Sequence, residues 1–194
     1  MTVIAGIAHK GSVYIGGDSA GSNGFEITPR SDAKAFLRPP FAFGVCGSFR
    51  VIDLIRYELQ VEEPPRGRKV DAREYLVRRL IPALRGCLHE HGALLSARGE
   101  EGMLGPFLVG YEGRLFEVDG DFQVGESARG HSSVGCGSSF ALASLWDTGI
   151  DRRPPKERVM RALENAAEHS PGVREPFVVV QLRRAGLEKR RTKR

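Results

Sequence analysis

The chain begins Met1-Thr2-Val3-Ile4-Ala5-Gly6-Ile7, and the reading of this stretch decides the rest. A threonine directly after the initiator methionine is followed at once by an apolar run of small and β-branched residues, the composition of a buried strand. Removal of Met1 would leave Thr2 with a hydroxyl and a free α-amine on one residue. Such a residue can serve as nucleophile and general base together, because a free α-amine has a reference pKa of about 7.7 to 8.0, close to the pH at which a base is useful. A Met-Thr start by itself is an ordinary way for a chain to begin. The weight therefore falls on Asp18, Lys34 and Gly47 and on their spacing from Thr2.

Val3 to His9 predicts a strand apolar on both faces, and Val13 to Gly17 a second of the same kind; strands apolar on both sides belong inside a layered structure. Lys10-Gly11 between them reads as a tight hairpin turn. With a two-residue loop His9 faces Ser12 and facing positions sum to 21, so Val3 lies opposite Asp18 and Thr2 opposite Ser19. The hairpin brings Asp18 beside the start of the chain.

Ser19 to Ser31, rich in glycine and serine, reads as a loop, and Lys34 to Leu37 and Phe41 to Val45 as short strands around Pro39-Pro40. Ser48 is an N-cap for a helix through about Leu59, with Val51, Ile52, Leu54, Ile55 and Leu59 facing the core. Val61 to Val70 is a connector. A longer helix starts at Asp71, which with Glu74 has capping-box spacing, and runs to about His91 with leucines at 76, 80, 84 and 88 and a bend at Pro82. His89 and His91 are two apart, share no helix face, and read as surface residues rather than metal ligands. A hairpin over Pro106–Tyr111 and Arg114–Val118 follows, then a turn at Gly120–Gly125 and a strand at about Ser132–Val134. Gly135-Cys136-Gly137-Ser138-Ser139 is a tight turn into a helix through Trp146; it lacks the pattern of a phosphate loop. A helix from Pro155 and a strand over Phe177–Leu182 complete the order: strands, two helices, strands, two helices, strand. Such segregation predicts α+β layers, with helices covering packed antiparallel sheets.

At 194 residues the chain is long enough for one well-buried domain, read here as residues 1–182. Hydrophobic content of 41% is ordinary, and no apolar run approaches a membrane span. Three scattered cysteines and the absence of a leader pattern at the amino terminus point to the reducing cytoplasm. The net charge of +5 comes from the end of the chain: Arg183 to Arg194 hold seven Lys or Arg and one acid, which leaves the rest near −1. Residues 183–194 read as a basic, disordered tail, and nucleic-acid binding would rest on that charge alone.

Thr2 before Val3-Ile4, Gly11, Gly16-Gly17-Asp18, Lys34 and Gly44-Val45-Cys46-Gly47, with sixteen-residue steps from Thr2 to Asp18 and from Asp18 to Lys34, resemble the proteasome β-subunit and HslV peptidase family of N-terminal-nucleophile hydrolases. Gly135-Cys136-Gly137-Ser138 is similar to that family's Gly-Ser-Gly turn, so the resemblance extends over about residues 2 to 182. It implies a four-layer αββα sandwich and a threonine peptidase or amide hydrolase without a cofactor. Thr2 Oγ1 would be the nucleophile and its amine the base. Lys34, paired with Asp18, would favour the deprotonated forms of both, and the Gly47 N–H would receive the oxyanion. The resemblance further implies peptide or protein substrates and a homo-oligomeric ring enclosing its sites. An ATP-dependent unfoldase, if one feeds the ring, would be a partner, since the chain carries no nucleotide motif.

Three positions depart from the family's pattern. Cys136 stands where a serine usually bonds the terminal amine, and a thiol is the weaker partner. The family's Asp-x-x-Ser-Gly is only echoed by Ala167-Glu168-His169-Ser170-Pro171-Gly172, leaving its aspartate absent or replaced by Glu168 or His169, and Val51 stands where another aspartate is expected. A catalytically silent ring or scaffold subunit is therefore the alternative. Against it, the chain opens directly on the first strand, without the helical extension of the family's α-subunits, and keeps Thr2, Asp18 and Lys34.

Overall fold

A computed structural model describes residues 1–64, 70–97, 99–150 and 152–184. Strands β1 (Val3–His9) and β2 (Ser12–Gly17) form the predicted hairpin. Its turn residues Lys10 and Gly11 have φ of 48° and 74°, the geometry of a type I′ turn, whose twist matches that of the strands it joins. His9 faces Ser12 and Ile4 faces Gly17, in the register expected. A small hairpin of β3 (Ala20–Ser22) and β4 (Ile27–Pro29) follows, then β5 (Ala35–Arg38) and β6 (Phe41–Val45). Helix α1 (Phe49–Asp53) continues into a π-helical turn at Leu54–Glu58. Helix α2 (Ala72–Tyr75), a π-helical turn at Leu76–Leu80 and α3 (Ile81–Glu90) form one longer rod. A short hairpin β7 (Leu95–Ala97) and β8 (Glu100–Gly102) precedes β9 (Phe107–Tyr111), β10 (Arg114–Val118), β11 (Val124–Glu126) and β12 (His131–Gly135). Helices α4 (Ser138–Ile150) and α5 (Pro155–His169) and strand β13 (Val178–Arg183) close the chain.

Apart from the two small hairpins β3–β4 and β7–β8, the strands make two antiparallel sheets, ordered β12-β1-β2-β13 and β11-β10-β9-β6-β5. Alternation along β1 shows how they stack. Val3, Ala5 and Ile7 pack with Leu145, Val159 and Leu163 of α4 and α5, whereas Ile4 packs with Ala42, Leu108 and Leu115 of the other sheet. A third cluster joins the outer face of the second sheet, through Phe43, Phe107 and Phe116, to Ile55, Leu76, Leu80, Leu84 and Leu88 of the first helices. The result is the expected αββα sandwich. Close approach of α5 to β2 depends on Gly16, where a Cβ would lie 2.6 Å from Val159 and 2.9 Å from Leu163.

Local departures have local causes. The expected loop at 19–31 holds the β3–β4 hairpin, whose turn is tied by Asn23 Oδ1 accepting the N–H groups of Phe25 and Glu26 at 3.0 and 2.8 Å. Asp71 caps its helix through the N–H groups of Arg73 and Glu74, but Glu74 pairs with Arg78 instead of reaching back to complete a capping box. The bend expected at Pro82 takes the form of the π-helical turn just before it, where the Ile81 N–H reaches the Leu76 carbonyl. Widening that turn relieves the crowding a proline ring imposes on the preceding backbone. Lys34 stands just outside β5 rather than within it. His89 is exposed. Arg183 ends β13, and Arg184 bonds the Gly11 carbonyl and pairs with Glu112, so both are part of the fold; the remainder of the expected tail lies outside the described residues. No described helix is long and apolar enough to cross a membrane.

Candidate active site

Three ends of secondary structure meet at one point: the start of β1, the end of β2 and the start of β5. Asp18 follows β2, and its N–H donates to the Val3 carbonyl at 3.3 Å, continuing the hairpin by one pair. Asp18 Oδ1 accepts the Val3 N–H at 3.0 Å and Lys34 Nζ at 2.9 Å. Its Oδ2 accepts the N–H groups of Ala20 at 3.0 Å and Arg174 at 3.4 Å. The carboxylate is therefore surrounded by donors, as a buried charge must be. The Asp18 and Lys34 side chains are 0% and 1% exposed.

Lys34 Nζ also donates to Thr2 Oγ1 at 3.0 Å and to the Met1 carbonyl at 3.4 Å. Thr2 is buried, and its hydroxyl donates to the Met1 carbonyl at 2.5 Å. The Thr2 N–H, which becomes an amine only when Met1 is gone, donates to Cys136 Sγ at 3.3 Å. That thiol reaches the Thr2 carbonyl at 3.4 Å and Ser170 Oγ at 3.6 Å. Hydrogen bonds thus join the buried Thr2, Asp18 and Lys34 and the exposed Cys136 in one cluster.

Cys46 and Gly47 follow the end of β6. Gly47 is exposed, has φ of +92°, and its N–H has no hydrogen-bond partner among the described residues. A Cβ there would meet the Leu104 carbonyl, so backbone conformation and space both require glycine. Cys46 forms part of the site's wall, its sulfur 3.1 Å from where a Cβ on Gly135 would stand. Burial pushes the Cys46 thiol well above its usual pKa, against the opposing pull of Lys34, so it stays a neutral thiol.

The structure adds residues that the sequence did not single out. Ser170 is buried beside Cys136, whereas Glu168 and His169, the candidates for the missing aspartate, are exposed; His169 lies tilted against Phe140 with ring centroids 5.2 Å apart. Glu168 and His169 lie on the solvent side of the last turn of α5, whereas Ser170 leaves the helix in extended backbone and its hydroxyl reaches Cys136. Phe49 lies 5.8 Å from Lys34 Nζ, with the Arg30 guanidinium 3.9 Å over the same ring and Arg30 paired with Asp32. No motif marks this charged rim; it arises from the fold.

Among solved structures, Thiobacillus denitrificans BPH in complex with epoxomicin matches with a TM-score of 0.76 at 19% identity, covering 95% of this chain and 100% of that one. HslV from Trypanosoma brucei matches at 0.66 and 19%, covering 94% and 99%. The chain has the proteasome/HslV-like fold. Anbu, the ancestral β-subunit from Yersinia bercovieri, matches at 0.60 and 14%, over 93% of this chain and 81% of that one. No family model matches the sequence. In the proteasome/HslV-like fold of this chain, the strand hairpin and the first edge of the second sheet are what deliver Thr2, Asp18 and Lys34 to one place.

Proposed function

We propose that this protein is an N-terminal threonine hydrolase of peptides, active once Met1 is removed. The observation that carries the reading is the buried chain Asp18–Lys34–Thr2, with Nζ 3.0 Å from Oγ1 and 2.9 Å from the carboxylate. In the reaction the Thr2 amine, directly or through one water, takes the proton from Oγ1 as that oxygen bonds the substrate carbonyl carbon. The oxygen of the carbonyl gains the charge and is received by the Gly47 N–H, a donor whose loss typically costs about 10² to 10³ in rate. Collapse breaks the amide bond, the ammonium returns its proton to the leaving nitrogen, and water then cleaves the Thr2 ester by the same route. Lys34, a cation held in place by Asp18, stabilises the developing alkoxide and lowers the proton affinity of the amine. Cys136 and Ser170 orient the amine.

An epoxyketone tests this, because its ketone and epoxide offer two electrophilic carbons to a hydroxyl and an amine on the same residue. Mature protein is expected to be modified at Thr2, and Thr2→Ala to abolish the modification; labelling that survives the change, or that maps to a cysteine, refutes the assignment. The BPH complex with epoxomicin supports the choice of probe.

One observation favours a second reading, a catalytically silent subunit. While Met1 is attached, its carbonyl occupies both Thr2 Oγ1 and Lys34 Nζ, and the Thr2 nitrogen is an amide with no basicity. Intact mass decides between them: loss of Met1 supports the hydrolase, and retention in assembled cellular protein supports silence. By the family resemblance, the hydrolase works as a cytoplasmic ring with enclosed sites, and any ATP-driven unfolding of protein substrates belongs to a partner.

A further inference from the structure

Two thiols flank the Thr2 end of the cluster, and they differ in what governs thiol chemistry. Cys46 is buried, its sulfur has no hydrogen-bond partner among the described residues, and burial keeps it a neutral thiol. A neutral, enclosed sulfur is inert, because the thiolate is the nucleophile and an oxidant must reach it. Cys136 is exposed, and its sulfur meets the Thr2 nitrogen at 3.3 Å, the Thr2 carbonyl oxygen at 3.4 Å and Ser170 Oγ at 3.6 Å. Thr2 itself is only 5% exposed. The Cys136 sulfur therefore stands between solvent and the Thr2 nitrogen.

That order decides what oxidation would do. A sulfenic acid is electrophilic at sulfur and condenses with a neighbouring thiol or nitrogen. The Cys46 thiol is held in its protonated, unreactive form, and Ser170 offers a neutral hydroxyl. The Thr2 nitrogen becomes an amine once Met1 is gone, with a reference pKa of about 7.7 to 8.0, so that at neutral pH a share of it carries a free lone pair. It is already in contact with the sulfur, on the side away from solvent, where it can attack as an oxygen leaves from the open side.

We propose that Cys136 is a site of peroxide modification that closes a sulfenamide bond to the Thr2 amine, a reversible covalent lock on the terminus. In the first step the sulfur gives up its thiol proton and bonds one peroxide oxygen; the O–O bond breaks and the departing oxygen leaves with that proton as water. Sulfur is oxidised by two electrons and the peroxide is reduced. In the second step the amine lone pair forms an N–S bond, the S–O bond breaks, and the hydroxide leaves with an amine proton as a second water. The locked nitrogen no longer serves as a base. A small thiol reverses the lock: it attacks sulfur, the N–S bond breaks, the amine takes the proton, and a second thiol frees Cys136 from the mixed disulfide. The inference rests on removal of Met1, as the hydrolase reading does, but not on hydrolysis itself.

The test uses the full chain, released from a fusion by an enzyme that cuts directly before Thr2, with the new terminus verified by intact mass. Hydrogen peroxide is expected to give a product about 2 Da lighter than the starting protein, the two hydrogens lost in forming the N–S bond. Tryptic segments 2–10 and 130–152 are expected to be joined, and dithiothreitol to restore the original mass. Cys136→Ser, whose oxygen peroxide does not oxidise, is expected to give no such product, whereas Cys46→Ala is expected to give it unchanged; circular dichroism checks that both are folded. A product about 16 Da heavier that dimedone captures and that goes no further overturns the proposal. So does a disulfide joining Cys136 to Cys46, which lies in a third tryptic segment, and so does an unchanged mass. Thr2-dependent turnover and epoxyketone labelling are expected to fall as the cross-link forms and to return with dithiothreitol. They are scored separately, so a chain that cross-links without turning over peptides counts against the hydrolase reading alone.

Discussion

Lys34 has three N–H donors, and Asp18, Thr2 and the Met1 carbonyl occupy all of them. Lys34→Ala would strand the Asp18 carboxylate among buried groups and is expected to destabilise by about 3 to 5 kcal/mol, which would confuse folding with catalysis. Lys34→Met combined with Asp18→Asn removes both charges at similar volume. That double variant is expected to stay folded, as followed by thermal unfolding, yet to lose most Thr2-dependent turnover. Its remaining activity is expected to need higher pH, since the amine returns toward its free value. Wild-type turnover with an unchanged pH profile would make the pair purely structural. At His131 a different charge effect operates: burial and the positive Arg158 nearby push its pKa below the ordinary 6.5. A depressed histidine binds its proton more weakly folded than unfolded, so its contribution to stability is complete above pH 6.5 and is lost as pH falls. His131→Gln is expected to flatten the acid side of the stability profile and to leave the neutral region unchanged, as read by urea midpoints from pH 5 to 8.

Among the elements, β2 and α5 show how closely the layers depend on missing side chains. Gly16 sits where a methyl group would overlap Val159 and Leu163, both fully buried. Gly16→Ala is expected to cost about 1 to 3 kcal/mol, the usual penalty for overpacking, seen as a lower denaturant midpoint with an unchanged slope. A neutral result would mean that α5 can shift outward without loss of packing. The same contact matters for the site, because Ser170 follows α5 directly and a displaced helix would carry it away from Cys136.

For the whole molecule, the hydrolase reading requires enclosure, since an open threonine peptidase would attack other proteins in its compartment. Light scattering of mature protein is expected to give a closed ring of about six or seven subunits, or twice that mass where two rings stack. A monomer at micromolar concentration would exclude both forms of assembly.

What the amino-acid sequence determined by itself is local. A two-residue turn fixes the register of β1 against β2, so the meeting of Asp18 with the chain start follows from counting residues. Leucines four apart define the inner face of the α2–α3 rod, and the alternation within β1 already divides its residues between two cores. The positions of Thr2, Asp18 and Lys34 were legible for that reason and through the family resemblance. The tertiary structure decided what depends on distant packing. Ser170 joined Cys136 across 34 residues, Glu168 and His169 turned outward, and Cys46 became a neutral thiol in the site's wall. Strands of three residues, such as β3, β4 and β11, are too short to show a period, and they exist because neighbouring segments offer them hydrogen bonds. No periodicity in α4 alone could reveal that Arg129 would lie over Trp146 while Leu142 and Ile150 stay exposed, since a helix's surroundings are set by where the rest of the chain is placed around it.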